Sequence, residues 1–163
     1  MNFELSQEQL MFRDMARKFA EREILPTLKE NERQERFDPG LIKKLAAQGL
    51  LAPHMPQEYG GLGLDYITSA IIWESLATAS LSVTQAAVSG PIQPATTLLH
   101  AGTEEQKKKY LPPVCKGELI MSGAVVEPKA GSDSSMIETT AVKSGNHWII
   151  NGSKIFNRHQ NGK

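Results

Sequence analysis

Cysteine, net charge and long apolar segments are all scarce in this sequence, and each scarcity excludes a class of protein. One cysteine among 163 residues cannot form an internal disulfide, so a reducing compartment is expected. Lysine plus arginine number 18 and aspartate plus glutamate also number 18, so no charge excess indicates a nucleic-acid or anionic membrane partner. Small molecules and proteins are the expected partners.

Signals for targeting and for metal binding are missing as well. The opening residues, MNFELSQEQL, contain no basic segment followed by an apolar one, and no later run reaches the length of a membrane span. We therefore expect a soluble, cytoplasmic protein without a membrane span. The histidines are scattered and none has zinc-ligand spacing with Cys115, so no metal site is predicted. Cys115 has no evident histidine neighbour and is given no catalytic role.

Helix signals dominate the first two thirds of the chain. A capping box at Ser6 begins a long amphipathic helix that Pro26 disturbs. Asp38 caps a second helix, which Gly49 ends. Asp65 caps a third helix, which is apolar on most sides and is therefore predicted to be buried.

The stretch 80–102 is made of small, weakly polar residues, which suits a helix packed inside a bundle. Gly90, Pro91 and Pro94 are expected to interrupt this stretch before a short helix that ends near Gly102. A second capping box, at Thr103, begins one more helix, in which acidic residues precede lysines as the helix dipole favours.

From about Leu119 the pattern changes to short runs rich in β-branched and aromatic residues. The runs ELIMSGAVV, IETTAVKS, HWIING and SKIFN predict three or four strands, separated by turn signals. One turn signal is Ser144-Gly145-Asn146, and another is Asn151-Gly152, around which HWIINGSKIF is predicted to form one hairpin. A sheet of so few strands has a free edge and a poorly covered face, so an incomplete chain is expected.

The predicted fold class is α+β. An all-α helical bundle over residues 1–116 is followed by the first antiparallel strands of a β-barrel-like domain, which is incomplete and covers residues 117–163.

The loop VVEPKAGSDSS, residues 125–135, is the clearest candidate for a binding site. It has neither the GxxxxGK[ST] pattern nor a GxGxxG between a strand and a helix, so the loop does not indicate a P-loop or a Rossmann site. Gly131 permits an unusual backbone turn, and Ser132, Ser134 and Ser135 offer hydroxyls beside backbone N–H donors. These residues alone fit either an anion or cofactor cradle or an ordinary polar hairpin loop.

Several motifs in one order resemble the acyl-CoA dehydrogenase family, over nearly the whole chain up to Phe156. They are LSQEQLMFRDMARKFAEREILP, PQEYGGLGLD, GTEEQKKKYLPPVCKGELIMSGAVVEPKAGSD and GNHWIINGSKIF. The resemblance implies a flavoprotein oxidoreductase of fatty acid metabolism that uses FAD to introduce an α,β double bond into an acyl-CoA. It also implies a C-terminal helical domain, an electron-transfer flavoprotein as electron acceptor, and a homo-oligomer.

The resemblance assigns roles to particular residues. Val125, Val126, Gly131, Ser132 and Phe156 match positions that contact FAD, and Ser132 also matches a position that contacts the acyl-CoA. Glycine allows close backbone approach, and a serine hydroxyl and backbone N–H groups can bind phosphate or carbonyl oxygens.

Two departures from the family pattern affect this site. Val126 stands where the family usually has a threonine, so one side-chain hydrogen bond to the flavin is lost. After Phe156 the family continues with a hydrophobic residue, Thr or Ser, and then Asn-Gly. Here an ungapped match places Asn157 and Arg158 on flavin-contact positions, while a shifted match uses the Asn-Gly pair at 161–162. A foreign or frame-shifted tail is the third alternative.

No catalytic residue is predicted in this chain. In the family the glutamate base belongs to the C-terminal domain, and none of Glu58, Glu74, Glu118, Glu127 or Glu138 matches it. Glu127 is expected to be structural, and the truncated chain alone is expected to be inactive. The alternatives are a fragment of a related flavoenzyme, of the acyl-CoA oxidase or nitroalkane oxidase type, and a non-catalytic interaction module.

Overall fold

The structure of this chain, a computed structural model, describes residues 4–157 except for the side chain of Ser89. The chain forms two compact units, residues 1–121 and 122–163. The helices of the first unit are α1 Gln7–Phe19, α2 Leu25–Arg33, α3 Gly40–Ala47, α4 Tyr66–Ala77, α5 Leu81–Thr84, α6 Gly90–Ala101 and α7 Glu104–Cys115. The second unit contains strands β1 Thr140–Ser144 and β2 His147–Asn151, which pair in antiparallel fashion. The chain is thus a helical bundle followed by antiparallel strands, which confirms the predicted α+β class.

Three helices of the first unit begin where short-range signals predict them. The Ser6 hydroxyl accepts the Gln9 N–H at 3.1 Å, and the Gln9 side chain accepts the Ser6 N–H at 3.0 Å, which completes the capping box of α1. Asp65 caps α4 by accepting the Thr68 N–H at 2.9 Å, and a second capping box at Thr103 begins α7. These predictions are confirmed.

The core of the first unit is built from the apolar faces of these helices. Helix α1 packs against α4, and α6 packs against α7. The largest fully buried apolar side chains are those of Ile42, Leu45, Leu50, Leu51, Met55, Ile72, Leu76, Ile92 and Leu111. Burial of such side chains supplies the main driving force for this bundle.

Two prolines are accommodated by π-helical turns. Residues Ala20–Ile24 form a π turn before Pro26, and Gln85–Ser89 form another before Pro91. Proline has no N–H and its ring clashes with the carbonyl four residues earlier, so the wider turn relieves the conflict. The predicted interruption at Pro94 is wrong, because α6 continues through it. The bond that Pro94 lacks would reach only the first residue of α6, so little is lost there.

The second unit contains fewer strands than predicted. Within residues 122–157, only β1 and β2 form a ladder, with Val142 opposite Ile149. The runs 118–126 and 153–157 are not strands, because neither lies in a ladder. No helix among residues 4–157 is long and apolar enough to cross a membrane.

The hairpin turn lies at Gly145-Asn146, and the predicted hairpin around Asn151-Gly152 is wrong. Ser144 pairs with His147, so two residues make the turn, and the φ of +59° at Gly145 suits its first position. Gly152 instead follows the end of β2. A Cβ added there would lie 2.1 Å from the Thr139 Oγ1, so the close approach of Thr139 requires glycine.

Candidate functional site

The candidate loop is closed by a short backbone bridge. The Glu127 N–H donates to the Ala130 carbonyl at 2.9 Å, and the Ala130 N–H donates back to Glu127 at 3.1 Å. Pro128 lies at the second position of this four-residue turn, where its fixed φ is favourable. The bridge therefore determines where Gly131 and Ser132 leave the turn.

The Glu127 carboxylate anchors the loop to the rest of the second unit. It is only 5% exposed and accepts the backbone N–H of Glu138 at 2.7 Å and that of Thr139 at 3.1 Å. It also accepts the Thr139 hydroxyl, and the Lys154 ammonium at 2.7 Å. The hydrogen bond from Lys154, followed by that from the Thr139 hydroxyl, lowers the pKa of Glu127 from 4.5 to about 2. Glu127 is thus ionised at neutral pH and fully engaged, which confirms its predicted structural role.

Lys154 joins the anchor to the predicted cofactor residues. Its ammonium also donates to the Val125 carbonyl at 3.1 Å, and the next residue, Ile155, donates its N–H to the Val126 carbonyl at 2.9 Å. The segment that ends in Phe156 therefore runs beside Val125 and Val126. Three of the residues assigned by resemblance are brought together by these backbone contacts.

The apolar side chains of Phe156 and Val125 are exposed. The side chain of Phe156 is 84% exposed and that of Val125 is 56% exposed. Phe156 also has a φ of +58°, a left-handed conformation that costs a non-glycine residue about 1–2 kcal/mol. An exposed aromatic residue held in a strained conformation is typical of a functional position.

Gly131 does not have the conformation expected for it. Its φ lies outside the left-handed region, so the expectation of an unusual backbone turn at this residue is wrong. A Cβ added at Gly131 would meet no heavy atom within 4 Å, so the position faces open space. Glycine here leaves room for another molecule to approach the backbone closely.

The serines of the loop differ in their hydrogen bonds. Ser132 is exposed and follows Gly131 directly. The Ser135 hydroxyl donates to Asp133 at 2.6 Å and the Ser135 N–H donates to the same carboxylate at 3.0 Å, which begins the short helical turn Ser134–Met136. The hydrogen bond from the Ser135 hydroxyl lowers the pKa of Asp133. Ser135 thus has a local structural role.

The geometry fits a flat, partly polar cofactor such as FAD. Exposed apolar side chains at Val125 and Phe156 lie on adjacent segments, and Gly131 leaves open space beside the backbone. Arg158 and the Asn-Gly pair at 161–162 lie outside the described residues.

Sequence reasoning missed the role of Lys154 and Thr139 in this site. Both contact Glu127 across large separations in the chain, 27 residues for Lys154 and 12 for Thr139. One signal was available, since Lys154 is the only charged residue in the predicted strand SKIFN.

Among residues 4–157, no three histidine, cysteine or acidic side chains are grouped so that they could hold a metal ion. Cys115 is buried, and burial raises the pKa of its thiol to about 11, which disfavours the nucleophilic thiolate.

Comparison of this chain with known proteins identifies a matching family model and similar proteins. Residues 6–118 match the family model described as acyl-CoA dehydrogenase, N-terminal domain. The short-chain specific acyl-CoA dehydrogenase of Clostridium acetobutylicum is 41% identical over 157 residues, which is 96% of this chain and 41% of that protein.

Solved structures are similar as well. An acyl-CoA dehydrogenase from Geobacillus kaustophilus is 37% identical with a TM-score of 0.81, and the match covers 96% of this chain and 41% of that chain. A chain in a structure of the electron transferring flavoprotein of Acidaminococcus fermentans is 39% identical with a TM-score of 0.84, with the same two coverages. This chain therefore spans about 41% of the length of the proteins that it matches.

Proposed function

We propose a function on the premise that this chain belongs to the acyl-CoA dehydrogenase family. In this proposal the chain forms the N-terminal part of an FAD-dependent acyl-CoA dehydrogenase. It would contribute part of the flavin site and an acyl-CoA contact, but not the catalytic base. The observation that carries the proposal is the anchored loop 125–132, in which the family's motif coincides with open space at Gly131 and exposed Val125.

Each residue of the loop would have a separate task. Val125 and Phe156 would cover apolar ring surface, and the backbone at Val126 and Gly131 would approach the cofactor closely. Ser132 would bind polar atoms of FAD and of the acyl-CoA through its hydroxyl. FAD, when bound, supplies the redox chemistry of α,β-dehydrogenation.

The remaining parts of the proposal concern the complete protein. The proposal includes a domain boundary between residues 116 and 117, and Arg158 as a flavin contact. It also includes a homo-oligomer and a cytoplasmic location. An electron-transfer flavoprotein is the proposed electron acceptor, which is supported by the similarity to a chain in a structure of such a protein.

Titration of FAD into this chain, followed by flavin fluorescence, tests the proposal. We expect weak binding, because only part of the flavin site is present. Ser132→Trp should weaken that binding by at least about tenfold, since the indole would fill the space beside Gly131. Ser144→Trp is the matched control, because Ser144 is also an exposed serine of the second unit but lies at the end of β1.

Equal effects of the two substitutions would contradict the assignment of the loop. Tight stoichiometric binding to the unaltered chain would instead show that the chain contains more of the site than proposed.

A further inference from the structure

Lys154 binds two acceptors at once in the second unit, and the proposed function assigns it no role. Its ammonium donates to the Glu127 carboxylate at 2.7 Å and to the Val125 carbonyl at 3.1 Å. The Lys154 side chain is 22% exposed and that of Glu127 is 5% exposed. Because the buried carboxylate holds the ammonium in place, the bond to the Val125 carbonyl comes from a fixed position. Lys154 can therefore orient the backbone at Val125.

The bond from Lys154 determines the direction of one peptide group. No cis peptide bond occurs among residues 4–157. In a planar trans peptide the C=O and the N–H point in opposite directions, so the Val126 N–H points away from the Lys154 ammonium that binds the Val125 carbonyl. The next carbonyl, that of Val126, accepts the Ile155 N–H at 2.9 Å. Two consecutive carbonyls are thus engaged by the segment that contains Lys154.

The Val126 N–H is a free donor of fixed direction. It donates to no acceptor in the part of the chain that the structure describes, and Val126 is only half-buried. The neighbouring Glu127 N–H, in contrast, donates to the Ala130 carbonyl at 2.9 Å. A free donor that is already oriented favours binding of an acceptor atom, since less conformational freedom is lost when the ligand binds.

The same contacts support Phe156. Its side chain is 84% exposed, so packing of the ring does not hold the strained φ of +58°. The two preceding residues are held instead, Lys154 by its bonds to Glu127 and Val125 and Ile155 by its bond to Val126. The segment that leads into Phe156 is therefore fixed against the segment that carries the free donor.

We propose, on the basis of the proposed function, that Lys154 is a positioning residue of the flavin site. By binding the Val125 carbonyl, it directs the Val126 N–H toward an acceptor atom of the flavin ring, and it holds the segment that ends in Phe156 beside Val125. Lys154 acts through the backbone of these residues and is not itself a flavin contact.

The first experiment measures this orientation in the whole chain without FAD. The ¹³C resonance of the Val125 carbonyl lies downfield while the carbonyl accepts from an ammonium, and the Ile155 amide is protected from hydrogen exchange by its bond to Val126. Lys154→Met has a side chain of similar length without donors, so it should shift the Val125 carbonyl upfield and reduce the protection of Ile155. Lys154→Arg retains a cation with several donors and should preserve both signals.

Lys129→Met is the matched control. Lys129 is another lysine of the second unit and pairs with Glu138 at 3.1 Å, but both side chains are exposed. Its replacement should leave the Val125 and Ile155 signals unchanged.

The second experiment measures FAD binding by flavin fluorescence. Lys154→Met should weaken binding by at least about tenfold, whereas Lys154→Arg and Lys129→Met should stay within about twofold of the unaltered chain. FAD should also shift the Val126 amide resonance in the unaltered chain and not in Lys154→Met. A role in folding alone would not remove this shift while the amide signals of β1 and β2 remain.

The two experiments separate the role of Lys154 from the flavin-site assignment. Unchanged Val125 and Ile155 signals in Lys154→Met would overturn the proposal whether or not FAD binds. Equal loss of FAD affinity in Lys154→Met and in either Lys154→Arg or Lys129→Met would overturn it as well. Absence of FAD binding by the unaltered chain would contradict the proposed function, whereas equal binding by the unaltered chain and Lys154→Met would overturn only the role of Lys154.

Lys154→Gln replaces Lys154→Met if that variant loses the amide signals of β1 and β2, because the Gln amide retains a neutral donor for Glu127. FAD affinity should follow the Val125 carbonyl shift in every folded variant. A variant that loses the shift but keeps the affinity would overturn the proposal.

Discussion

At the scale of single residues, the second unit depends on one buried charge. Glu127 accepts hydrogen bonds from Glu138, Thr139 and Lys154, and Lys154 also binds the Val125 carbonyl. These contacts join residues of the loop to residues that follow them by 11 to 29 positions. An ionised carboxylate that is buried and fully paired is stabilising only while its partners remain. The stability of the second unit should therefore depend on the pH and on the partner residues of Glu127.

The first prediction concerns the pH dependence of the second unit. The folded pKa of Glu127 is about 2, below its ordinary value of 4.5, so its stabilising contribution is fully present above about pH 4.5. That contribution is lost as the pH falls from about 4.5 toward about 2. Protection of the Thr139 and Glu138 amides against hydrogen exchange should decrease in this window.

Glu127→Gln should remove both the protection and its pH dependence, since the amide cannot pair with the Lys154 charge. Glu138→Gln is the matched control, because the Glu138 side chain is exposed and forms a surface ion pair with exposed Lys129. The anchor role of Glu127 is refuted if both variants give the same exchange profile.

At the scale of the elements, the end of α2 departs from the preference for glycine after a helix. Two backbone hydrogen bonds close the last turn of α2. The Arg36 N–H donates to the Asn31 carbonyl at 2.8 Å, and the Glu35 N–H donates to the Glu32 carbonyl at 3.1 Å. This Schellman pattern places Glu35 in the left-handed conformation, with a φ of +50°. Glycine takes the equivalent position after α3, at Gly49.

The second prediction follows from this exception. Glu35→Gly should raise the free energy of unfolding of the first unit by about 0.5–1 kcal/mol, because glycine has no penalty at positive φ. Thermal and urea unfolding measure the change. Gln34→Gly is the control, since Gln34 has a φ of −91° and gains nothing from glycine. A loss of stability in Glu35→Gly would mean that the helix end is not strained as described.

At the scale of the whole molecule, the chain spans about 41% of the proteins that it matches. Among residues 122–157, both faces of the hairpin are exposed, including the side chains of Val142, Trp148 and Ile150. According to the proposed function, the catalytic base is not among these residues. The one buried carboxylate among them, that of Glu127, is engaged in hydrogen bonds with Lys154 and its other partners.

The third prediction is that this chain alone, saturated with FAD, does not oxidise acyl-CoA. Loss of a positioned base costs about 10² to 10⁴ in rate, and loss of substrate positioning adds to that. Butyryl-, octanoyl- and isovaleryl-CoA should be assayed with an artificial electron acceptor. The short-chain specific acyl-CoA dehydrogenase of Clostridium acetobutylicum serves as the positive control. Turnover within about tenfold of that enzyme would reject the prediction and would identify an unrecognised base in this chain.

The sequence by itself determined that helices precede strands, and it determined several of the helix ends. Capping boxes at Ser6 and Thr103, the cap at Asp65 and the glycine after α3 involve residues within five positions of each other, so short-range rules suffice. The motif around residues 125–132 identified the candidate site in the same way. Whether those residues bind FAD stays a prediction.

Tertiary structure alone decided which of two turn signals forms the hairpin, how the loop is held, and what lies beside His54. The contacts of Glu127 with Lys154, of Gly152 with Thr139 and of His54 with Thr96 join residues 13 to 42 positions apart. Such contacts depend on how the folded chain brings distant segments together, and local propensity carries no information about them. The lowered pKa of Glu127 follows from those contacts, so it could not be deduced from residue types alone.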